Sequence, residues 1–95
     1  MLFARVKNLQ GTTDHTPERF GYDTWKSFWE ARMNQHFQLC ANIKCSNSAT
    51  VGGHVIRVDK TSKKWYIVPL CSSCNHFGND NPFLVDSSKL CPANS

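Results

Sequence analysis

Nowhere do eighteen consecutive apolar residues occur, so the sequence predicts no helix of membrane-spanning length and no membrane partner. Met1-Leu2-Phe3-Ala4-Arg5-Val6-Lys7 holds no apolar run of signal-peptide length, which sets the expectation of a soluble intracellular protein, cytoplasmic or nuclear. Internal repeats and low-complexity segments are lacking too. A strong charge of one sign is also missing, since the net value is only +4. With 40% hydrophobic and 12% aromatic residues, the composition is that of a folded globular chain and excludes disorder as the default.

At 95 residues the chain makes a single domain, 1–95, with room for a modest core. Domains of that size often lean on a metal or on disulfides. Five cysteines are present, four of them in two pairs, Cys40-Ala41-Asn42-Ile43-Lys44-Cys45 and Cys71-Ser72-Ser73-Cys74. Without a secretion signal the pairing favours a metal over a disulfide scaffold, which stays the competing reading. A borderline-soft d¹⁰ ion accepts four thiolates tetrahedrally, so Cys40, Cys45, Cys71 and Cys74 predict a closed, structural Zn²⁺ site. Cys91 is read as a free thiol, or as a replacement for one of the four.

Between the two pairs lie 25 residues. Within them, Thr50 to Val58 and Trp65 to Leu70 read as two strands joined by the charged turn Asp59 to Lys64, a β-hairpin. In the first strand Gly52, His54, Ile56 and Val58 share one face, and the glycine pair points to a bulge or a close backbone approach. Residues 44–64 carry five positive side chains, Lys44, Arg57, Lys60, Lys63 and Lys64, against Asp59. That segment contributes +4, against +1 from residues 1–43 and −1 from residues 65–95. The excess is therefore on the hairpin, either as a solvated face or as a phosphate-contacting surface formed by Arg57, Lys60, Lys63 and Lys64, with Trp65 or Tyr66 available for stacking.

Around this module, Leu2, Ala4 and Val6 alternate with Phe3, Arg5 and Lys7 as in a short strand. Thr16-Pro17-Glu18 has the cap, first-turn proline and acidic residue that open helices, Gly21 interrupts it, and Asp23 offers a second cap. Trp25, Phe28, Trp29, Arg32, Met33 and His36 then recur at three- and four-residue spacing, predicting an amphipathic helix that ends near Phe37 and packs as core. His36 is placed near the helix end, where its imidazole favours the carbonyl-rich terminus. Asn75 to Asn79 predicts a short helix, Phe83-Leu84-Val85 a short strand or a cover over apolar surface, and His15 carries no assigned role.

Knuckle, hairpin and a helix starting at the second cysteine pair follow the treble-clef order. Gly53-His54-Val55 followed by Val68-Pro69-Leu70-Cys71-Ser72-Ser73-Cys74-Asn75 resembles the zinc-bearing HNH endonucleases over about residues 40–79. The resemblance implies a zinc-stapled treble clef at 40–79; residues 1–39, an N-terminal extension holding the packed amphipathic helix, and 80–95, a tail, lie outside it, and the expected fold is α+β. The resemblance also implies a catalytic Mg²⁺ or Mn²⁺ separate from the zinc, with His54 as general base on the attacking water. The sequence departs from the family at Gly53, where an Asp or His ligand is usual, and at Tyr66, where an asparagine is usual. Asn75, His76 and Asn79 are then the remaining ligands, and a hard cation without a carboxylate is poorly held. Three readings of His54 stay open: a hydrogen-bonded structural histidine, the base, or a zinc ligand replacing a cysteine. The expectation is a noncatalytic zinc module binding nucleic acid; a protein-interaction or inhibitor module and a metal-dependent nuclease are the alternatives.

Overall fold

The computed structural model describes residues 2–9, 12, 14–61, 63–76 and 81–93. Its strands are Phe3–Asn8 (β1), Val51–Arg57 (β2), Trp65–Leu70 (β3), Phe83–Asp86 (β4) and Cys91–Pro92 (β5), and its α-helix is Trp25–Met33 (α1). They form one antiparallel sheet in the order β4-β1-β2-β3-β5 with α1 against it, a small α+β domain.

The predicted hairpin is the centre of this sheet. β2 and β3 pair from Val51↔Leu70 to Ile56↔Trp65 without a break, so the glycine pair marks a close approach and no bulge. The alternating segment at the start of the chain pairs with β2 on its free edge, and Phe83–Asp86 pairs in turn with β1. Residues read as an extension and a tail are thus strands of the same sheet as the hairpin.

Because side chains alternate across a strand, the sheet buries both faces. One face packs Ala4, Val6, Val55, Val68, Leu70 and Val85 against Cys40 and Cys71 of the cysteine loops. The other packs Ile67 and Cys91 against Phe28 and Trp29 of α1. Each fully buried aliphatic or phenylalanine side chain contributes about 1.5–3 kcal/mol. The predicted aromatic stripe is core at Phe28 and Trp29, whereas Arg32 and His36 are exposed.

Three local readings differ from what forms. The segment opened by Pro17 is a single 3₁₀ turn, Pro17–Phe20, ended by Gly21 in the left-handed region at φ 87°. Thr24 caps α1 in place of Asp23: its hydroxyl accepts from Ser27 N at 3.0 Å while Ser27 Oγ accepts from Thr24 N at 3.2 Å, a reciprocal capping box. The helix stops at Met33, four residues short of Phe37, because Asn34 turns left-handed at φ 54°. Glu30 Oε2 then accepts from Phe37 N at 2.8 Å and holds the chain back on itself, so His36 meets the Glu30 carboxylate at 3.8 Å instead of a helix terminus. After Cys71 the described residues make a turn over Ser72 to Asn75, with Asn75 N donating to Cys71 O at 3.0 Å. The predicted helix falls mostly on 77–79, outside the described residues. Among the described residues no helix is long and apolar enough to cross a membrane.

Candidate metal centre

Two loops on one face of the sheet bring four sulfurs together. The first, Cys40 to Cys45, is shaped by backbone bonds from Cys40 N to Asn47 O at 2.8 Å and from Cys45 N to Asn42 O at 2.9 Å. It is pinned to the sheet by Ala41 N donating to Pro69 O at 2.8 Å and Ile43 N to Leu84 O at 3.0 Å. The second loop leaves the end of β3 at Leu70, and its turn sets Cys71 and Cys74 on the same side. The Sγ atoms of Cys40, Cys45, Cys71 and Cys74 all lie within 4.8 Å of one another, an arrangement that could hold a metal ion.

The surroundings of the sulfurs favour a cation. Cys40 and Cys71 are buried, and Cys45 and Cys74 half-buried. Asn42 Nδ2 donates to Cys74 Sγ at 3.5 Å and Asn47 Nδ2 to Cys71 Sγ at 3.8 Å, the outer support that metal-bound thiolates take up. Burial pushes the Cys40 thiol up and Cys74 up to about 12. Burial acts the same way on Cys71, but bonds from the Cys74 backbone and side chain, Asn47 and Cys45 outweigh it and bring that thiol down to about 6. Burial opposes charge on Cys40 and Cys74, and a divalent ion held there would supply the compensating charge. Cys91 is buried on the opposite face with Phe28 and Ile67, apart from this cluster.

His54 lies elsewhere. Alternation along β2 turns Gly53 toward the cysteine side and His54 toward α1. A Cβ on Gly53 would stand 2.5 Å from Leu70 Cδ1 and 2.7 Å from Asn75 Oδ1, so the space a side chain at this position would need is filled by these two side chains. His54 Nε2 instead meets His15 Nδ1 at 2.9 Å, and its ring lies 4.9 Å from Trp25 and 6.3 Å from Trp65. Burial, then the neighbouring His15, lowers His54 to about 4. The structure thus brings His54 together with His15 and not with Asn75; Asn79 lies outside the described residues.

The hairpin's positive end is partly compensated. Arg57 makes a two-pronged contact with Asp59, Nε to Oδ1 at 3.0 Å and Nη2 to Oδ2 at 3.1 Å, which lowers the Asp59 carboxyl to about 2. Lys60, Lys63 and Lys64 are exposed around the turn. Trp65 packs its ring 4.7 Å from His15 and is half-buried, and Tyr66 is half-buried on the cysteine side.

Sequence reasoning missed His15, Asn42 and Asn47. Each asparagine follows a cysteine of the first pair by two residues, Asn42 after Cys40 and Asn47 after Cys45, which is the signal for amide support of thiolates. His15 gave none, because its partner is 39 residues away.

Set against protein-family models, curated proteins and solved structures, the chain finds no match in any of the three. Fold and site together define a small α+β domain with a four-cysteine cluster suited to a metal ion.

Proposed function

We propose that the chain is a noncatalytic zinc module that binds nucleic acid through the exposed end of the β2–β3 hairpin. The observation that carries the zinc reading is the set of four sulfurs within 4.8 Å on two loops, the first pinned to the sheet, with asparagine amides on two of the sulfurs. Four thiolates suit zinc better than a hard cation, and they leave no position open for water, so the metal's work is to hold the fold. Cys40, Cys45, Cys71 and Cys74 are the ligands.

Lys60, Lys63 and Lys64 supply phosphate contacts at the turn, with Arg57 held beside them by Asp59. Such contacts give salt-dependent, largely sequence-independent affinity. Against a nuclease stand the side chains filling the space at Gly53 and the engagement of His54 with His15 on the opposite face. A treble-clef likeness to the HNH enzymes is accordingly one of scaffold.

The test joins metal analysis to binding. One zinc per chain with four sulfur neighbours by X-ray absorption supports the metal reading, and a gel shift at low salt that weakens steeply as salt rises supports the surface. Absence of any shift at low salt removes nucleic acid as the partner. Exposed Leu39 and Ile43 on the first cysteine loop would then favour a protein partner. Plasmid nicking in Mg²⁺ or Mn²⁺ that disappears in His54→Ala would overturn the noncatalytic assignment.

A further inference from the structure

His15 is buried, and it comes from a segment that crosses the sheet between β1 and α1. Where the chain leaves β1, Leu9 N donates to His54 O at 3.0 Å; beyond it the segment's described backbone bonds are local, among them His15 N to Thr12 O at 2.9 Å, Gly21 N to Glu18 O at 3.0 Å and Tyr22 N to Pro17 O at 3.2 Å. It reaches the strands through side chains. His15 Nδ1 meets His54 Nε2 of β2 at 2.9 Å, and the His15 ring is walled by Trp25 at 4.9 Å, Trp65 at 4.7 Å and Phe20 at 6.1 Å.

We propose that the His15–His54 pair is an acid-sensitive latch that holds residues 14–22 on the sheet while the pair shares one proton and releases them when both imidazoles are charged. The chemistry is proton counting. In the neutral pair one facing nitrogen carries a hydrogen and the other a lone pair, which makes one N–H···N bond. A first added proton leaves that bond in place, because it goes to an outward nitrogen. A second turns both facing nitrogens into donors and sets two positive charges against each other in a site walled by indoles.

The surroundings set the pH. Burial opposes charge on both rings; for His15 the backbone of Ala93 partly offsets it, while Arg19 of the same segment adds repulsion. Toward the pair, α1 presents Trp25 and β3 presents Trp65, both uncharged. Asp14 and Glu18 of the segment are exposed, and neither imidazole has a carboxylate partner among the described residues. Opening therefore falls well below the usual histidine value of about 6.5. Both rings are lowered, so the stabilisation is whole above the ordinary histidine value and is lost progressively as pH falls from there toward the lowered folded-state values.

Amide hydrogen exchange on the metal-loaded protein tests this, with rates corrected for the intrinsic effect of pH. Protection of the Gly21 and Tyr22 amides is expected to fall about tenfold or more between pH 7 and pH 4 in the wild type, and by less than about twofold in His54→Gln, which cannot charge. Zinc content is followed in parallel, because thiolates also protonate in acid, and His54→Gln leaves that transition where it was. An equal loss of protection in His54→Gln, or none in the wild type, overturns the latch. Imidazole nitrogen resonances of the wild type give a reading that needs no variant. Coupling across the 2.9 Å bond supports the shared proton, and two independent titrations near the ordinary histidine value refute it.

Discussion

Gly52→Ala is the sharpest probe of how α1 is seated. A Cβ at this position would stand 2.7 Å from Trp25 Cβ, 2.9 Å from the Trp25 carbonyl carbon and 3.0 Å from Ile67 Cγ2. Carbon atoms rest at about 3.5–4.0 Å, so the first turn of α1 has to retreat by roughly 0.8 Å or the strand has to bend. Neither is free to move: Trp25 is the first helical residue behind the Thr24 capping box, and Ile67 of β3 is fully buried against α1. Overpacking of this kind costs about 1–3 kcal/mol. An alanine that fitted would instead stabilise a strand by about 0.5–1 kcal/mol over glycine, so the two outcomes differ in sign. In a domain of this size each kcal/mol moves the midpoint by about 4–8 °C. Thermal unfolding followed by circular dichroism in excess zinc should therefore show Gly52→Ala lower by roughly 5–20 °C. Gly53→Ala is the control. Its close contacts, Leu70 Cδ1 at 2.5 Å and Asn75 Oδ1 at 2.7 Å, are side-chain ends with no backbone atom among them, whereas Gly52 meets the Trp25 carbonyl carbon, so the Gly53→Ala loss should be smaller. A Gly52→Ala midpoint at or above wild type, or a larger loss in Gly53→Ala, would refute this account of the packing.

Cys71→Ser removes a buried sulfur from the cluster, and zinc stoichiometry is expected to fall well below one per chain with loss of the cooperative unfolding transition; full zinc retention would contradict the four-sulfur site. Chelator added to the wild type should have the same effect, reversed by zinc alone. Replacing Lys60, Lys63 and Lys64 by alanine should weaken nucleic-acid binding and flatten the plot of log affinity against log salt by up to about 2.7 if each lysine neutralises one phosphate, with an unchanged slope clearing these residues of the role. Thr24→Ala, which removes the acceptor of the 3.0 Å bond from Ser27 N, should destabilise by about 0.5–2 kcal/mol in chemical denaturation without touching zinc content.

What the sequence disclosed was periodic or paired. Two β-branched runs on either side of a charged turn, an aromatic stripe at helical spacing and two cysteine pairs are local patterns, and each reappears as the β2–β3 hairpin, α1 and the sulfur cluster. Pairing partners across the chain were not legible in the same way. That β1 and β4 extend the hairpin's sheet depends on Val6 facing Arg57 and Ala4 facing Val85, contacts of long sequence separation that no window of ten residues contains. The helix end was misread because His36 keeps the three-residue spacing from Met33 although Asn34 has already left the helical region. His15 was invisible for a similar reason: a lone histidine in a turn-like segment gains its meaning only from a strand that folds beneath it.

The two faces of β2 supply the argument for the proposed noncatalytic reading. A strand sends consecutive side chains to opposite sides, so residues 53 and 54 serve different layers of the molecule. On the cysteine side, Leu70 and Asn75 fill the room a side chain at 53 would need; the glycine is thus part of how the second cysteine loop packs, and an Asp there would have to displace that loop. On the helix side, His54 is drawn into a ring-walled pair with His15 and is held neutral over the range in which a base would work, although a neutral imidazole already bonded at 2.9 Å has no free nitrogen facing a substrate on that edge. Gly53→Asp consequently should lower stability without conferring Mg²⁺-dependent cleavage. The reasoning would fail if that single change produced a nicking activity, since cleavage would mean that the Leu70–Asn75 packing yields to a carboxylate and that His54 can leave His15 to serve it.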